Sequence, residues 1–456
     1  MCVAECKYDV VKEAARARGW RLVDGDSEAA KQCHVYWVDV ANILERLQQL
    51  RPWQRINHFP GMSNIARKGR MAQSLDRMRR AFPQEYSFYP RTWVLPTEWG
   101  SFKAEFDSMG KSTRTFIIKP DSGCQGRGIY LTQDLARVES MESQVAQVYV
   151  RKPLLIDGLK FDLRVYVLVT SVSPLRVYLF QDGLARFCTE EYLRPTSNNL
   201  DDRCMHLTNY AVNKGSENFV ANTAADRDDR GSKRSLKWLL GWVTKEHGQA
   251  KARTLWRRMG SACLRTLVSI LPTLRRDYHQ VFGADAPNVG GDSAREGECA
   301  AGPVEGSRCV EILGVDFMVD TSLKPWLIEV NHLPSFATDS PLDDNIKSRV
   351  VSTALAVLKV KAGDRRSYEE VTRRGAQSRL YTSSRGSPSA AAAAAAEREQ
   401  KEQERRADAD AKRVRGKVEA IYKRCAPEKV DKVDALVSKY AGKEEKLLQL
   451  VEKKYA

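Results

Sequence analysis

The chain predicts an α/β or α+β fold, and three observations carry that expectation. From Thr115 to about Val360, β-rich runs alternate with stretches of helical spacing. Glycine-containing turns punctuate the alternation, and residues 1–50 repeat it on a smaller scale.

In chain order, Val10–Arg18 has helical spacing, His34–Val38 is β-rich, and Val40–Leu50 is helical again, so residues 1–50 are expected to form a small N-terminal α/β subdomain. Residues 51–114 follow as a basic connecting region, in which Met71, Leu75, Met78 and Phe82 are spaced as one face of a helix. Residues 115–360 are the expected catalytic region. Its candidate strands are Thr115–Lys119, Ala146–Val150, Leu163–Ser171, Leu175–Phe180, Val310–Val319 and Trp326–Val330, and its candidate helices are Lys237–Glu246 and Ala252–Leu271. Phe282–Arg308, rich in Gly, Ala and Pro, reads as a mobile surface insertion. Residues 361–412, with Ser383–Ser389 and the alanine run Ala390–Ala396, read as a disordered or helical linker, and residues 413–456 as a short helical appendage punctuated by Pro427 and Gly442.

With 456 residues, 42% of them hydrophobic, the chain can bury two or three cores. Lys and Arg number 74 against 58 Asp and Glu, a net charge of +16, which favours a polyanionic partner without choosing among nucleic acid, an anionic membrane and an acidic protein tail. The ten cysteines include no C-x-x-C pair, so neither a zinc ribbon nor a disulfide framework is indicated. The opening MCVAECKYDVVKEA carries charges where a signal peptide needs an apolar core, and runs such as Val165–Val172 are far shorter than the ~20 residues of a membrane span. A soluble, reducing compartment is expected.

Two constellations carry chemistry. Ile117–Leu131 (IIKPDSGCQGRGIYL) runs from strand through a glycine-rich turn to strand. Gly123, Gly126 and Gly128 let backbone amides approach a phosphate, and Lys119 and Arg127 supply charge; a plain hairpin turn accounts for the same run. In Gly314–Ser335, Asp316 lies on one apolar strand while Glu329 and Asn331, two apart, leave the same face of the next. Three hard oxygen ligands on adjacent strands suit Mg²⁺, and capped strand ends are the plainer alternative. Between them, QVYV (Gln147–Val150), KFDLRVYV (Lys160–Val167), GLARF (Gly183–Phe187), HLTNYAVNK (His206–Lys214) and GSKR (Gly231–Arg234) interrupt β-rich context with charge, which points to a lined cleft.

The run from WQRINHFPGMS (Trp53–Ser63) through KPDSGCQGRGI, KFDLRVYVLVTS, CMHLTNY and LKPWLIEVNHLPSFATDSPLD (Leu323–Asp343) resembles the tubulin-tyrosine-ligase-like family, and within it the polyglutamylase subgroup, over residues 1 to about 360. That resemblance implies an ATP-grasp-type ligase core using ATP and Mg²⁺. It places Lys119, Gln125, Gly126, Gln147, Val148, Tyr149, Val150, Lys160, Phe161, Asp162, Thr208 and Asn209 at the nucleotide, and Asp316, Glu329 and Asn331 at the metal. It places Arg186, Tyr210, Ala211 and Lys233 at free L-glutamate, and Gln125 and His332 at the protein acceptor; Ala211 departs from a serine common in the family, which leaves that position a backbone contact.

The activity so implied is ATP-dependent addition of glutamate to the acidic C-terminal tails of tubulin through an acyl phosphate, extending branches. The implied partners are microtubules and free glutamate, with no nucleic acid and no membrane insertion, for a monomer in the cytoplasm and cytoskeleton, with cilium and basal body as further sites. Two alternatives stay open: a ligase of the same fold adding glycine or tyrosine, against which the cationic pair Arg186 and Lys233 speaks, and a non-catalytic microtubule-binding protein, against which the intact Asp316, Glu329, Asn331 set speaks.

Overall fold

A computed structural model describes the chain except residues 41–42, 109–113, 124, 224–228, 284–306, 384–409, 441–443 and 456. The described residues form a mixed α/β structure with three sheets. Strands β1 (Cys2–Glu5), β2 (Val35–Val38) and β3 (Arg55–Ile56) form a parallel sheet in that order. Helix Asp9–Ala17 bridges β1 and β2, burying Val10, Val11, Ala14 and Ala15 on one face as its spacing requires. Helix Leu44–Gln49 also forms; the neighbouring 41–42 lie outside the described residues.

The second sheet is antiparallel. Its strands β4 (Thr92–Leu95), β5 (Phe116–Pro120), β6 (Tyr130–Thr132) and β7 (Gln144–Val148) stand in the order β4-β7-β5-β6. Helix Trp99–Ser108 covers it through the fully buried Phe102, whose ring centroid lies 5.4 Å from Trp93 and 5.2 Å from Phe116. Helix Lys68–Ala81 buries Met71 and Leu75 as expected, but ends before Phe82, which is half-exposed.

The third sheet positions the chemistry. It holds β8 (Leu155–Ile156), β9 (Leu159–Val172), β10 (Leu175–Glu191), β11 (Lys233–Ser235), β12 (Glu311–Val319) and β13 (Pro325–Asn331), in the order β11-β10-β9-β12-β13 with β8 alongside β9. The central strand β9 is covered on both sides. Its odd-numbered Phe161, Leu163, Val165, Val167 and Val169 enter the main core with helices Leu236–His247 and Gln249–Phe282. Its even-numbered Tyr166 and Leu168 pack with Val10, Val11 and helix Pro341–Val357. Because side chains alternate with period two, Lys160, Asp162 and Arg164 continue the even row into a cleft between this sheet and the second.

Three departures from expectation have local causes. Strand β10 does not stop at Phe180. The expected strand ends there, yet the register shifts between Leu179 and Gly183 and pairing resumes, so the segment is a bulge. Helix Gln249–Phe282 runs eleven residues past the expected Leu271, straight through Pro272. Proline there deprives only the Val268 carbonyl of its donor, and Val268 is 37% exposed, so water can serve it. Strand β11 is three residues of polar sequence and gave no alternation to read.

The segment 284–306, expected as an insertion, and 384–409, with the serine-rich stretch and alanine run, lie outside the described residues. Part of the expected linker is helical, at Asp364–Ser383. Residues Thr372–Ala456 form a separate compact unit. Within it, residues 410–425 and helices Val433–Lys439 and Glu444–Tyr455 bury Val414, Val418, Tyr422, Leu447, Leu448 and Val451 against one another, with Pro427 opening the 3₁₀ turn between the first two. Among the described residues no helix is long and apolar enough to cross a membrane.

Gly183 sits where β10 approaches β9 too closely for a side chain: a Cβ would lie 2.2 Å from the Arg164 carbonyl oxygen. Gly183→Val must therefore part the strands that carry Asp162 and Arg186, at a cost of about 3 kcal/mol. Urea unfolding is the check, and a wild-type midpoint would refute the close approach.

Candidate active site

The register of the third sheet sets six charged residues in two rows across it. In one, Lys233 on β11, Arg186 on β10 and Asp162 on β9 are successive pairing partners. In the other, Arg164 on β9, Asp316 on β12 and Glu329 on β13 are partners in turn. A register shift just after Asp316 sets Glu329 opposite it although Phe317 already faces Leu327, an irregularity of the kind that re-aims side chains at sites.

Opposite charges lock the rows together. Arg186 donates from Nε and Nη2 to the two Asp162 oxygens at 2.7 and 2.6 Å, and its Nη2 also lies 2.8 Å from Asp316 Oδ2. Arg164 grips Asp316 from Nε and Nη2, the latter at 2.9 Å. Thr208 donates to Asp162 at 2.6 Å. Burial alone would raise the Asp316 pKa, but Arg164 and Arg186 outweigh it and hold it at about 2. For Asp162 burial wins over Arg186, and the pKa is raised. Arg186 is driven well above its ordinary value because its two carboxylates overcome its own burial.

At the Asp316 end, Asn331 Nδ2 lies 3.4 Å from Asp316 Oδ2 and 3.2 Å from Glu329 Oε1, so the three sequence-picked ligands do converge. Two carboxylates and an amide oxygen are a hard donor set, and Mg²⁺ is commonly held by one or two carboxylates together with phosphate oxygens; the residues fit that ion.

The facing wall comes from the second sheet. Lys119 on β5 is buried and donates to Gln147 Oε1 at 2.9 Å, and Gln147 in turn donates to Thr92 at 2.8 Å. Lys160 donates to Tyr149 Oη at 2.7 Å and to the His206 carbonyl at 2.6 Å. Burial pushes Lys119 and Lys160 down to about 8, and His206 down to about 4. His206 Nε2 lies 2.9 Å from the Asn199 carbonyl, so the neutral ring carries its proton there and accepts from Tyr149 on Nδ1 at 3.1 Å.

The cleft gathers Lys119, Gln147, Val148, Tyr149, Val150, Lys160, Asp162, Thr208, Asn209, Asp316 and Glu329 around one cavity, floored by Ile117, Ile129, Met318 and Ile328. Phe161 is not among them: alternation turns its ring into the core, 5.2 Å from Phe187, which leaves only its main chain near the cleft. Gln125 and Gly126 lie in the glycine-rich loop, both with positive φ (64° and 76°), and neither lines the cavity, although Gly126 packs against its Asn209. Gly126 is required there, since a Cβ would come within 3.0 Å of Val212 and 3.1 Å of Asn209 Oδ1. Helix Lys68–Ala81 moors this loop, Lys68 donating to the Gly123 carbonyl at 3.1 Å and Gly69 N–H to Asp121 at 2.6 Å.

The remaining picks fall beyond the cavity. Lys233 lies 3.8 Å from the Tyr210 ring centroid and 2.6 Å from Asp343; Ala211 follows Tyr210 in helix Tyr210–Asn213. The Arg186 fork, expected to be free for a ligand carboxylate, is already bidentate to Asp162, and only Nη1 is without a hydrogen bond among the described residues. His332 lines a separate pocket with His58 and Glu311, behind the strand end that carries Asn331. Sequence reasoning missed Arg164, His206, Asp343 and Lys347. Arg164 was legible as the next even residue after Asp162, whereas the lysine–aspartate contacts join segments with no shared pattern.

Comparison with known proteins gives the family. The model of the tubulin-tyrosine ligase family matches residues 45–285 and 298–367. Tubulin polyglutamylase ttll6 of Danio rerio is 43% identical over 378 residues, 83% of this chain and 45% of that protein. Tubulin polyglutamylase TTLL13 of Homo sapiens is 42% identical over 379 residues, 83% and 43% of the two chains. A protein of Tetrahymena thermophila named probable beta-tubulin polyglutamylase is 41% identical over 357 residues, 78% and 28%. The chain thus spans less than half the length of these relatives. The matched segments contain both charged rows, the loop and the lysine pair, and on that ground the chain belongs to the tubulin-tyrosine ligase family.

Proposed function

We propose that the protein is an ATP-dependent ligase that joins free L-glutamate to glutamate side chains of tubulin C-terminal tails, extending branches, in an ATP-grasp-type cleft. The observation that carries this reading is the pair of charged rows beside the buried Lys119 and Lys160, in a family whose matched relatives are named tubulin polyglutamylases. In and behind the cleft, Lys119, Lys160, Arg164, Arg186, Lys233 and Lys347 face Asp162, Asp316, Glu329 and Asp343, six cations against four carboxylates, a surplus suited to anionic substrates.

The nucleotide lies with its base against the main chain of Gln147–Val150 and its phosphates toward Lys119, Lys160, Thr208 and Asn209, under Gln125 and Gly126. Asp316, Glu329 and Asn331 would hold Mg²⁺, which when bound screens the phosphate oxygens. A tail carboxylate, guided by Gln125 and, for the tail residues outside the cleft, by His332 in the adjoining pocket, attacks the γ-phosphorus and releases ADP. The amine of free glutamate then attacks the acyl carbon, losing a proton as phosphate leaves and the amide forms. Lys233, Tyr210, the Ala211 backbone and the spare Nη1 of Arg186 orient that glutamate. Most of the catalysis is positioning and charge stabilisation. The reaction is placed on microtubules of the cytoplasm and cilium.

Incubating tubulin with ATP, Mg²⁺ and, separately, glutamate, glycine and tyrosine, followed by mass spectrometry of the tails, tests the reading. Glutamate increments alone support it, and efficient glycine or tyrosine incorporation overturns it. Glu329→Gln is expected to lower the rate about a thousandfold, roughly 4 kcal/mol of transition-state stabilisation, with the fold retained. A rate above a tenth of wild type, within about 1.4 kcal/mol, removes Glu329 from the metal site.

The lowered lysines give a second expectation. At pH near 8 free Lys119 and Lys160 are partly deprotonated, and a bound polyphosphate restores their charge, so nucleotide binding takes up protons. At pH about 6.5 both are already charged and contribute no uptake; above pH 8 affinity declines. Calorimetry in buffers of different ionisation enthalpy measures this, and equal heats across buffers at pH 8 would exclude both lysines from the phosphate site.

A further inference from the structure

Two lysines share one aspartate behind the amino-acid end of the cleft. Asp343 is fully buried, and Lys233 and Lys347 are only 6% and 5% exposed. Lys233 Nζ lies 2.6 Å from Asp343 Oδ2, and Lys347 Nζ lies 2.8 Å from Oδ1. The trio is fixed from both sides. Ser340 caps helix Pro341–Val357, accepting from the Asp343 N–H and donating to Oδ2, while Lys347 donates to the Ala337 carbonyl. On the cleft side the Lys233 ammonium rests against the Tyr210 ring.

Among the described residues no other carboxylate pairs with either lysine. Asp316 and Asp162, the next acids in the rows, are taken by Arg164 and Arg186. The trio therefore carries a net charge of +1 where water is largely excluded, and a buried charge is unfavourable until an opposite one compensates it. Burial, with Lys233 and Arg164 adding to it, lowers the Lys347 pKa, and Asp343 opposes them. An anion arriving beside Lys233 relieves that strain. Without Lys347, the Lys233–Asp343 pair would be neutral, and a carboxylate approaching Lys233 would meet the Asp343 charge just behind it.

We propose that Lys347, without touching substrate, is a positioning residue that sets specificity: by offsetting Asp343 it leaves Lys233 free to demand a negatively charged side chain on the incoming amino acid. The inference rests on the reading of the chain as a glutamate ligase with Lys233 at the amino acid. Asp343 orients Lys233, and Lys347 decides how much of its charge reaches the ligand.

The test uses the full chain with tubulin at saturating ATP, and glutamate against glutamine, which has the same shape and no charge. Lys347→Met is expected to raise the glutamate KM about tenfold, with kcat and the ATP KM near wild type, and to shrink the glutamate-to-glutamine ratio of kcat/KM by a similar factor. Lys347→Arg should keep the ratio. General distortion lowers both amino acids alike and leaves the ratio where it was. If Lys347→Met fails to fold, Lys347→Gln, which can still donate to Ala337, carries the same expectation. An unchanged ratio in a folded neutral variant, or an equal loss in Lys347→Arg, overturns the proposal. A wild type that ligates no glutamate refutes the functional reading instead.

Discussion

Asp162, Arg186, Asp316 and Arg164 form an unbroken chain of alternating charge across three adjacent strands, and the rest of the cleft depends on it. Two buried carboxylates and two largely covered guanidiniums meet there, and each would be untenable alone, since an unpaired buried charge costs several kcal/mol. Their pairing is set by strand register. A slip of one residue on β9 would bury Lys160, Asp162 and Arg164 in the apolar core and turn Phe161, Leu163 and Val165 outward. The charged lattice and the hydrophobic face thus enforce the same register from opposite sides of one strand.

That double enforcement explains why a cleft can be built from so few local signals. The second sheet contributes Lys119 and a main-chain edge. The third contributes Lys160, carboxylates and guanidiniums, and the glycine-rich loop, moored by Lys68 and Gly69, packs beside them on Asn209. Lys119 and Lys160 are each held by neutral acceptors, Gln147 in one case and Tyr149 with the His206 carbonyl in the other, so their charge is oriented without being cancelled. Carboxylates fix the arginines; amides and phenols aim the lysines.

What could be read in the sequence follows from the range of each interaction. Glu329 and Asn331 share a face of one strand, so period-two alternation was enough to group them. Lys160, Phe161 and Asp162 were grouped by motif resemblance alone, and the same alternation, had it been applied there, would have set Phe161 on the opposite face from the other two. Arg186 was harder, because its alignment with Asp162 depends on the bulge at Gln181–Gly183, which reads as the end of a strand. Lys233 and Asp343 are 110 residues apart, joined by a helix cap and a three-residue strand, and no periodicity connects them. The helices of residues 410–455 were visible as apolar spacing, and nothing in that spacing assigns them a role.

The alternating chain also constrains how such a protein can change over generations. Replacing either inner member, Arg186 or Asp316, strands the outer Asp162 or Arg164 as a buried, uncompensated ion, so that single step is disfavoured before catalysis is considered. Drift at the two inner positions is therefore epistatic: each must be exchanged together with its outer partner, or the whole set abandoned at once. A descendant that had lost its chemistry would bear linked replacements along one row of the sheet, while the apolar face of the same strand stayed as it was.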